Sequence, residues 1–241
     1  MLHSSLNFTR RATESELMDD LTLASDALRQ NLDELELINT RLGGYSVLTD
    51  ALTHLQPHFP PNRPLHLADL GSGGGDTLRY LARWARRHQV PVVLTGIDAN
   101  AFMVEYAGEK SRSYPEITFQ QQDIFAAEFQ QQAFDVLTCS LFCHHFPDEQ
   151  LIQLLRQWQQ QASLAVIIND LHRHPLAYYS IKWLTRLLGG SYLVQHDAPL
   201  SVARAFTRQD WQQLLQQAGI RNYTLRWRWA FRWQVVILKE A

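Results

Sequence analysis

The sequence predicts an α/β fold: a doubly wound, mostly parallel sheet of seven strands with helices on both faces, preceded by an N-terminal helical cap. Three observations carry that expectation. Short runs rich in Leu, Val and Ile alternate with helical segments from residue 65 to residue 170. A glycine loop, Gly71-Ser72-Gly73-Gly74-Gly75, stands between the first run and the first helix that follows it. The chain of 241 residues is 46% hydrophobic, enough for one sizeable core.

In chain order, residues 16–56 read as helices. Leu28, Leu32, Leu35 and Ile38 recur at helical spacing, Leu21 extends the series backwards, and Gly43-Gly44 stops it. A second short helix carries Val47, Leu48, Ala51, Leu52 and Leu55, and Pro57, Pro60, Pro61 and Pro64 mark a linker. This divides the chain into a cap or lid over residues 1–60 and a main domain over 61–241. Strands are predicted at Leu65–Leu70, Val92–Asp98, Ile117–Gln121, Phe134–Ser140 and 164–169, with helices at 77–88, 101–111 and Asp148–Gln161. A helical insertion covers about 172–206, its helix at 176–188 ending at Gly189-Gly190. Thr207 and Asp210 form a capping pattern ahead of Trp211, Leu214 and Leu215, and Gly219 closes that helix. Apolar alternation over 223–238 suits two final strands.

The net charge of −2, with no long run of one sign, does not point to a nucleic-acid partner. Arg226-Trp227-Arg228-Trp229 resembles a base-stacking surface, but an alternating strand accounts for it more simply. No apolar stretch is long enough for a membrane span. The first eleven residues lack the apolar region of a secretory signal, and Cys139 and Cys143 are too few for a disulfide framework. A reduced, cytoplasmic location is expected.

The chemistry lies in Leu67-Ala68-Asp69-Leu70 and the glycine loop after it. Glycines let a backbone turn sharply and lie against a ligand. A carboxylate about 20 residues on, at the end of the next strand, holds ribose hydroxyls in such sites, and Asp98 stands there. A dinucleotide site wants Gly or Ala at the sixth position of its fingerprint, which counted from Gly71 is Asp76, a carboxylate that repels pyrophosphate. An adenosine cofactor with a cationic sulfonium and an amino-acid tail suits this acidic loop better.

Residues 65–170 resemble the core of the class I S-adenosylmethionine-dependent methyltransferases. Gln122-Asp123-Ile124 resembles the family's adenine-contacting acidic motif. Phe134-Asp135-Val136-Leu137, with the loop Leu141–His145, resembles the strand and loop under its cofactor. The resemblance implies a Rossmann-like methyltransferase fold and an S-adenosyl-L-methionine site at Asp69, Gly71, Ser72, Gly73, Gly75, Asp98, Ala99, Asp123, Ile124 and Ser140. Shorter likenesses at Glu16-Leu17-Met18-Asp19-Asp20, Ile38-Asn39 with Leu42-Gly43-Gly44, and Asn169-Asp170-Leu171-His172-Arg173 point to enzymes of bacterial secondary and quinone-like metabolism. That branch implies a small, aromatic or hydrophobic acceptor, with O-methylation favoured and C-methylation second. The alternatives are a nucleic-acid or protein acceptor, or a non-catalytic cofactor-binding module.

Histidines follow two strands at the edge where the acceptor is expected: His144 and His145 after the fourth, His172 and His174 after the fifth. Hydroxyl methylation requires a proton to leave, so His172 and His145 are the candidate bases. No metal is expected, because the His and Cys spacings match no familiar zinc pattern and sulfonium methyl transfer needs no Lewis acid.

Overall fold

The computed structural model describes residues 7–239. Two helices, α1 (Asp26–Arg41) and α2 (Ser46–Leu55), precede β1 (Leu65–Leu70). Then follow α3 (Asp76–Arg87), β2 (Val92–Asp98), α4 (Ala101–Lys110), β3 (Ile117–Gln121), a single-turn α5 (Ala127–Gln130), β4 (Phe134–Ser140), α6 (Asp148–Gln161) and β5 (Ala162–Leu171). The chain ends with α7 (Pro175–Leu187), α8 (Tyr192–Arg204), α9 (Arg208–Ala218), β6 (Tyr223–Arg228) and β7 (Arg232–Leu238).

The strands form one sheet in the order β3-β2-β1-β4-β5-β7-β6. The sheet is mixed, which refines the expectation of a mostly parallel one: β3, β2, β1, β4 and β5 are parallel neighbours, whereas β7 is antiparallel to β5 and to β6. The cause is connection length. A parallel step needs a crossover, usually a helix, but only residues 229–231 separate β6 from β7, so they fold as a hairpin.

Alternation along the strands supplies two cores. Leu65, Leu67, Val136 and Ile167 face α2 and α3. Ala68, Leu70, Leu137 and Ile168 face α6 and α9, where Trp158 and Trp211 are fully buried. Residues of α2 are therefore part of the sheet's packing. At α9 the capping box forms as the sequence implies: Thr207 accepts from the Asp210 N–H, and Gly219 ends the helix at φ 78°.

Departures from expectation have local causes. Leu21 is exposed and lies outside α1, since Asp20 takes the Thr22 N–H into a turn and Ser25 caps the helix afresh. Strand β5 is longer than expected, because β7 pairs with it from Ala165 to Leu171. The insertion holds two helices that pack on each other, α7 and α8. No described helix is long and apolar enough to cross a membrane.

Candidate active site

Two cavities open at the carboxyl ends of the parallel strands, where such sheets bind ligands. The outer one, of about 1200 Å³, is lined by Asp98, Ala99, Gln122, Asp123 and Ile124. The inner one, of about 400 Å³, lies beneath α1, α7 and α8 and is lined by Leu35, Ile38, Ser140, Ile181, Leu184 and Phe231, among others. Gly71, Gly73, Leu141, His144 and His145 border both.

The loop that follows β1 divides its glycines between two tasks. Gly71 and Gly75 have positive φ, and a Cβ would meet the Phe142 ring at 2.2 Å and the Phe119 ring at 2.5 Å respectively. Gly75 lines neither cavity, away from its expected place against the cofactor, whereas Gly71 packs on Phe142 and also borders both cavities. At Gly73 a Cβ would meet only Leu32, at 3.6 Å, so this turn lies open to the cavity. The Gly73 N–H donates to Asp98 at 2.9 Å, and the second oxygen of Asp98 accepts from the Asn100 N–H at 2.9 Å. Burial pushes the Asp98 carboxyl up, against those bonds.

Asp69 lines neither cavity. It sits behind the loop, accepts from the Thr138 hydroxyl at 2.7 Å, and is pushed by burial to about 8. It acts on the site through its position, as a correction to direct contact. Ser72 is buried beside the inner cavity with an unpartnered hydroxyl. Asp123 turns the chain by accepting from the Phe125 N–H at 2.9 Å, which presents Ile124 to the outer cavity. Ser140 accepts from Asn169 at 2.7 Å. Leu141, next in the chain, takes φ 55°, a strained conformation for a side-chain-bearing residue at the junction of the cavities.

The two candidate bases part company. His172 lines neither cavity. It lies between β5 and α7, against His174, Phe231 and Trp233, and accepts from the Trp227 indole N–H at 3.2 Å. Burial, with the nearby charges of His174 and Arg173, pulls its pKa down to about 4. The structure therefore places His172 apart from both cavities.

His145 borders both cavities, and its Nδ1 is 2.5 Å from Asp19. Asp19 also accepts from Arg204 at 2.6 Å. Burial alone would raise the Asp19 carboxyl, but the bonds from His145 and Arg204 hold it well below the usual range. An ionised Asp19 fixes Nδ1 as the donor and leaves Nε2 as the acceptor. Beside it, buried His144 places Nδ1 2.8 Å from Asp170 and Nε2 3.5 Å from Glu16. Burial pushes Glu16 up to about 7, against the charges of His145 and Arg204.

Glu16, His144 and His145 bring one donor atom each within 4.8 Å of one another, a cluster with metal-ligand chemistry that spacing does not reveal. Arg204, 3.8 Å from Glu16, supplies positive charge there. Asp19, Glu16, Asp170 and Arg204 were missed as site residues because they are scattered along the chain. The sequence signals are Glu16-Leu17-Met18-Asp19-Asp20, three acids inside a cap otherwise read for its leucines, and Asp170 within Asn169–Arg173.

Residues 67–162 match the family model of a methyltransferase domain. No curated protein matches the chain in sequence. Among solved structures, the plantazolicin methyltransferase BpumL, in complex with SAH, is 17% identical with a TM-score of 0.63, over 90% of this chain and 92% of that one. Human N-acetylserotonin methyltransferase, in complex with SAM, is 19% identical with a TM-score of 0.61, over 89% of this chain and 56% of that one. The CurJ carbon methyltransferase is 17% identical with a TM-score of 0.61, over 82% of this chain, which spans about half (54%) of its length. At these identities the likeness lies in the fold.

Proposed function

We propose that the chain is a class I, S-adenosylmethionine-dependent methyltransferase and that it methylates a small, aromatic or hydrophobic metabolite, with a hydroxyl as the favoured acceptor group; the match of residues 67–162 to a methyltransferase domain supports this. The observation that carries this reading is the meeting of two cavities, the inner one walled largely by apolar side chains, at a histidine oriented by a carboxylate. The similar structures include enzymes named for plantazolicin and N-acetylserotonin, which supports a metabolite as acceptor.

The residues present fit the cofactor. Gly73 offers an open backbone turn, Ser72 an unpartnered buried hydroxyl, and Asp76 and Asp98 bring acidic groups to the cavities on either side of the loop. Gly71, Gly73 and Ser72 would hold the amino-acid end, Asp98 with Ala99 the ribose, and Asp123 with Ile124 the adenine, leaving Ser140 at the entrance to the inner cavity. The cofactor supplies a methyl group activated by a positively charged sulfur.

What remains for the protein is alignment, exclusion of water and proton removal. The apolar walls from α1, α7 and α8 orient a hydrophobic acceptor and keep the junction dry. Nε2 of His145 takes the acceptor's proton, and Asp19 stabilises the imidazolium that forms. Residues 16–42 close over the junction as a lid.

The test is methyl transfer from radiolabelled cofactor to a panel of phenols, hydroxyquinones and matched amines, with total RNA and mixed protein as further acceptors. Label on RNA or protein and none on the panel would overturn the acceptor class. Binding of the cofactor with transfer to nothing would make the chain a binding module.

A further inference from the structure

We propose that Arg232 is an anion-binding residue of the inner cavity, taking a carboxylate that comes either from the methyl acceptor or from the methionyl end of the cofactor. The two named sources rest on the methyl-transfer reading; the existence of the anion site does not.

Arg232 begins β7, opposite Leu171 of β5, and lines the inner cavity. It is 2% exposed. Its Nη2 donates to the Asn39 side-chain oxygen at 3.0 Å, and that is a neutral partner. Its Nε and Nη1 have no partner.

The other buried arginines behave differently. Arg79 meets Glu36 at 2.7 Å, Arg173 meets Asp210 at 2.9 Å, and Arg204 meets Asp19 at 2.6 Å. Each removes its charge from water against a carboxylate, as burial requires. Arg232 alone among these four has an amide where the others have an anion. Asp170, the acid whose charge it feels most, is already held by His144 and by the Leu171 N–H.

Its surroundings are built to receive it. Gly44 passes so close that a Cβ there would lie 3.2 Å from the guanidinium carbon, and Asn39 fixes the orientation from α1. Burial pulls the Arg232 pKa down to about 10, which still leaves the group charged at neutral pH. A guanidinium so placed is a poor structural element and a good receptor: it needs an oxyanion, and the cavity is the way for one to arrive. The same cavity carries the unpartnered Ser72 hydroxyl and Asn31 carbonyl oxygen, so a bound molecule also meets a donor and an acceptor. An acceptor of this kind is an aromatic or aliphatic acid whose methylated group lies away from its carboxylate.

The experiment is calorimetric titration of the full chain as wild type, Arg232→Met, which keeps the volume without the charge, and Arg232→Lys, which keeps the charge. One arm compares S-adenosylhomocysteine with 5′-methylthioadenosine, which lacks the amino-acid tail. The other compares benzoate and decanoate with their carboxamides, in the presence of S-adenosylhomocysteine. If the cofactor supplies the carboxylate, Arg232→Met weakens S-adenosylhomocysteine by roughly tenfold or more and leaves methylthioadenosine within about twofold. If the acceptor supplies it, wild type prefers an acid over its amide by about tenfold, Arg232→Lys keeps part of that preference, and Arg232→Met loses it. Wild type with no acid preference, together with unchanged S-adenosylhomocysteine affinity in both variants, overturns the proposal. Should Arg232→Met not fold, the wild-type acid–amide comparison and Arg232→Lys decide alone. Failure of both adenosine ligands to bind wild type would count against the cofactor reading, while the acid–amide arm still judges Arg232.

Discussion

Replacing Asp98 with alanine removes the acceptor of two backbone donors, the N–H groups of Gly73 and Asn100, each at 2.9 Å. Hydrogen bonds to a charged acceptor contribute about 1.5–3 kcal/mol each. The burial that pushes the Asp98 carboxyl up outweighs those bonds for the charged form, so removing the side chain is expected to cost little stability while it unties the Gly73 turn. Loss of charge-assisted bonds to a ribose weakens cofactor binding by about 1–3 kcal/mol, or roughly 5- to 150-fold in Kd. Asp98→Asn retains one oxygen and is expected between alanine and wild type in affinity. Calorimetric titration with S-adenosylhomocysteine reads the affinity, and thermal unfolding reads the stability. A folded Asp98→Ala chain that binds S-adenosylhomocysteine within twofold of wild type would falsify the placement of the cofactor along β2.

Three further outcomes follow from the same geometry. With a hydroxyl acceptor, His145→Gln lowers turnover by about 10²–10⁴-fold and changes S-adenosylhomocysteine affinity only a few-fold, whereas His172→Gln leaves turnover near wild type; the reverse ranking would return the proton to His172. Because burial raises the folded pKa of Glu16 to about 7 from the usual 4.5, its cost is absent below pH 4.5, grows between the two values and is complete above pH 7. Glu16→Gln should therefore be more stable than wild type by about 1–3 kcal/mol at pH 8 and nearly equal at pH 4.5 in denaturant titrations, and equal stability at both would show that Glu16 carries no such burden. Hydrogen exchange across residues 16–42 should slow when S-adenosylhomocysteine is added, and identical exchange would make that segment a fixed wall.

The parallel half of the sheet was readable in the sequence because each strand is a short Leu, Val and Ile run bounded by a helix of different period, and Asp98 falls at the end of one. The direction of β7 was not, since alternation is the same whichever way a strand runs. Gly71, Gly73 and Gly75 look alike as letters; only the folded chain shows that Gly75 is closed off by Phe119 while Gly71 and Gly73 border the cavities. His172 and His145 likewise share a place after a strand. Which way each ring turns is decided by Trp227 and by Asp19, partners 55 and 126 residues away. Alternation over 223–238 does not single out Arg232, whose burial follows from the pairing of β7 with β5.

The anchoring of residues 16–19 sets an order of events. Asp197 takes the N–H groups of Leu17 and Met18 at 2.9 and 3.1 Å, and Arg204 takes Asp19. On a ribosome the segment bearing Glu16 and Asp19 emerges ahead of its partners, which are made about 180 residues later. The five parallel strands can assemble while α8 is still being synthesised, but the histidine junction cannot. The nascent chain thus gains its architecture well before its chemistry.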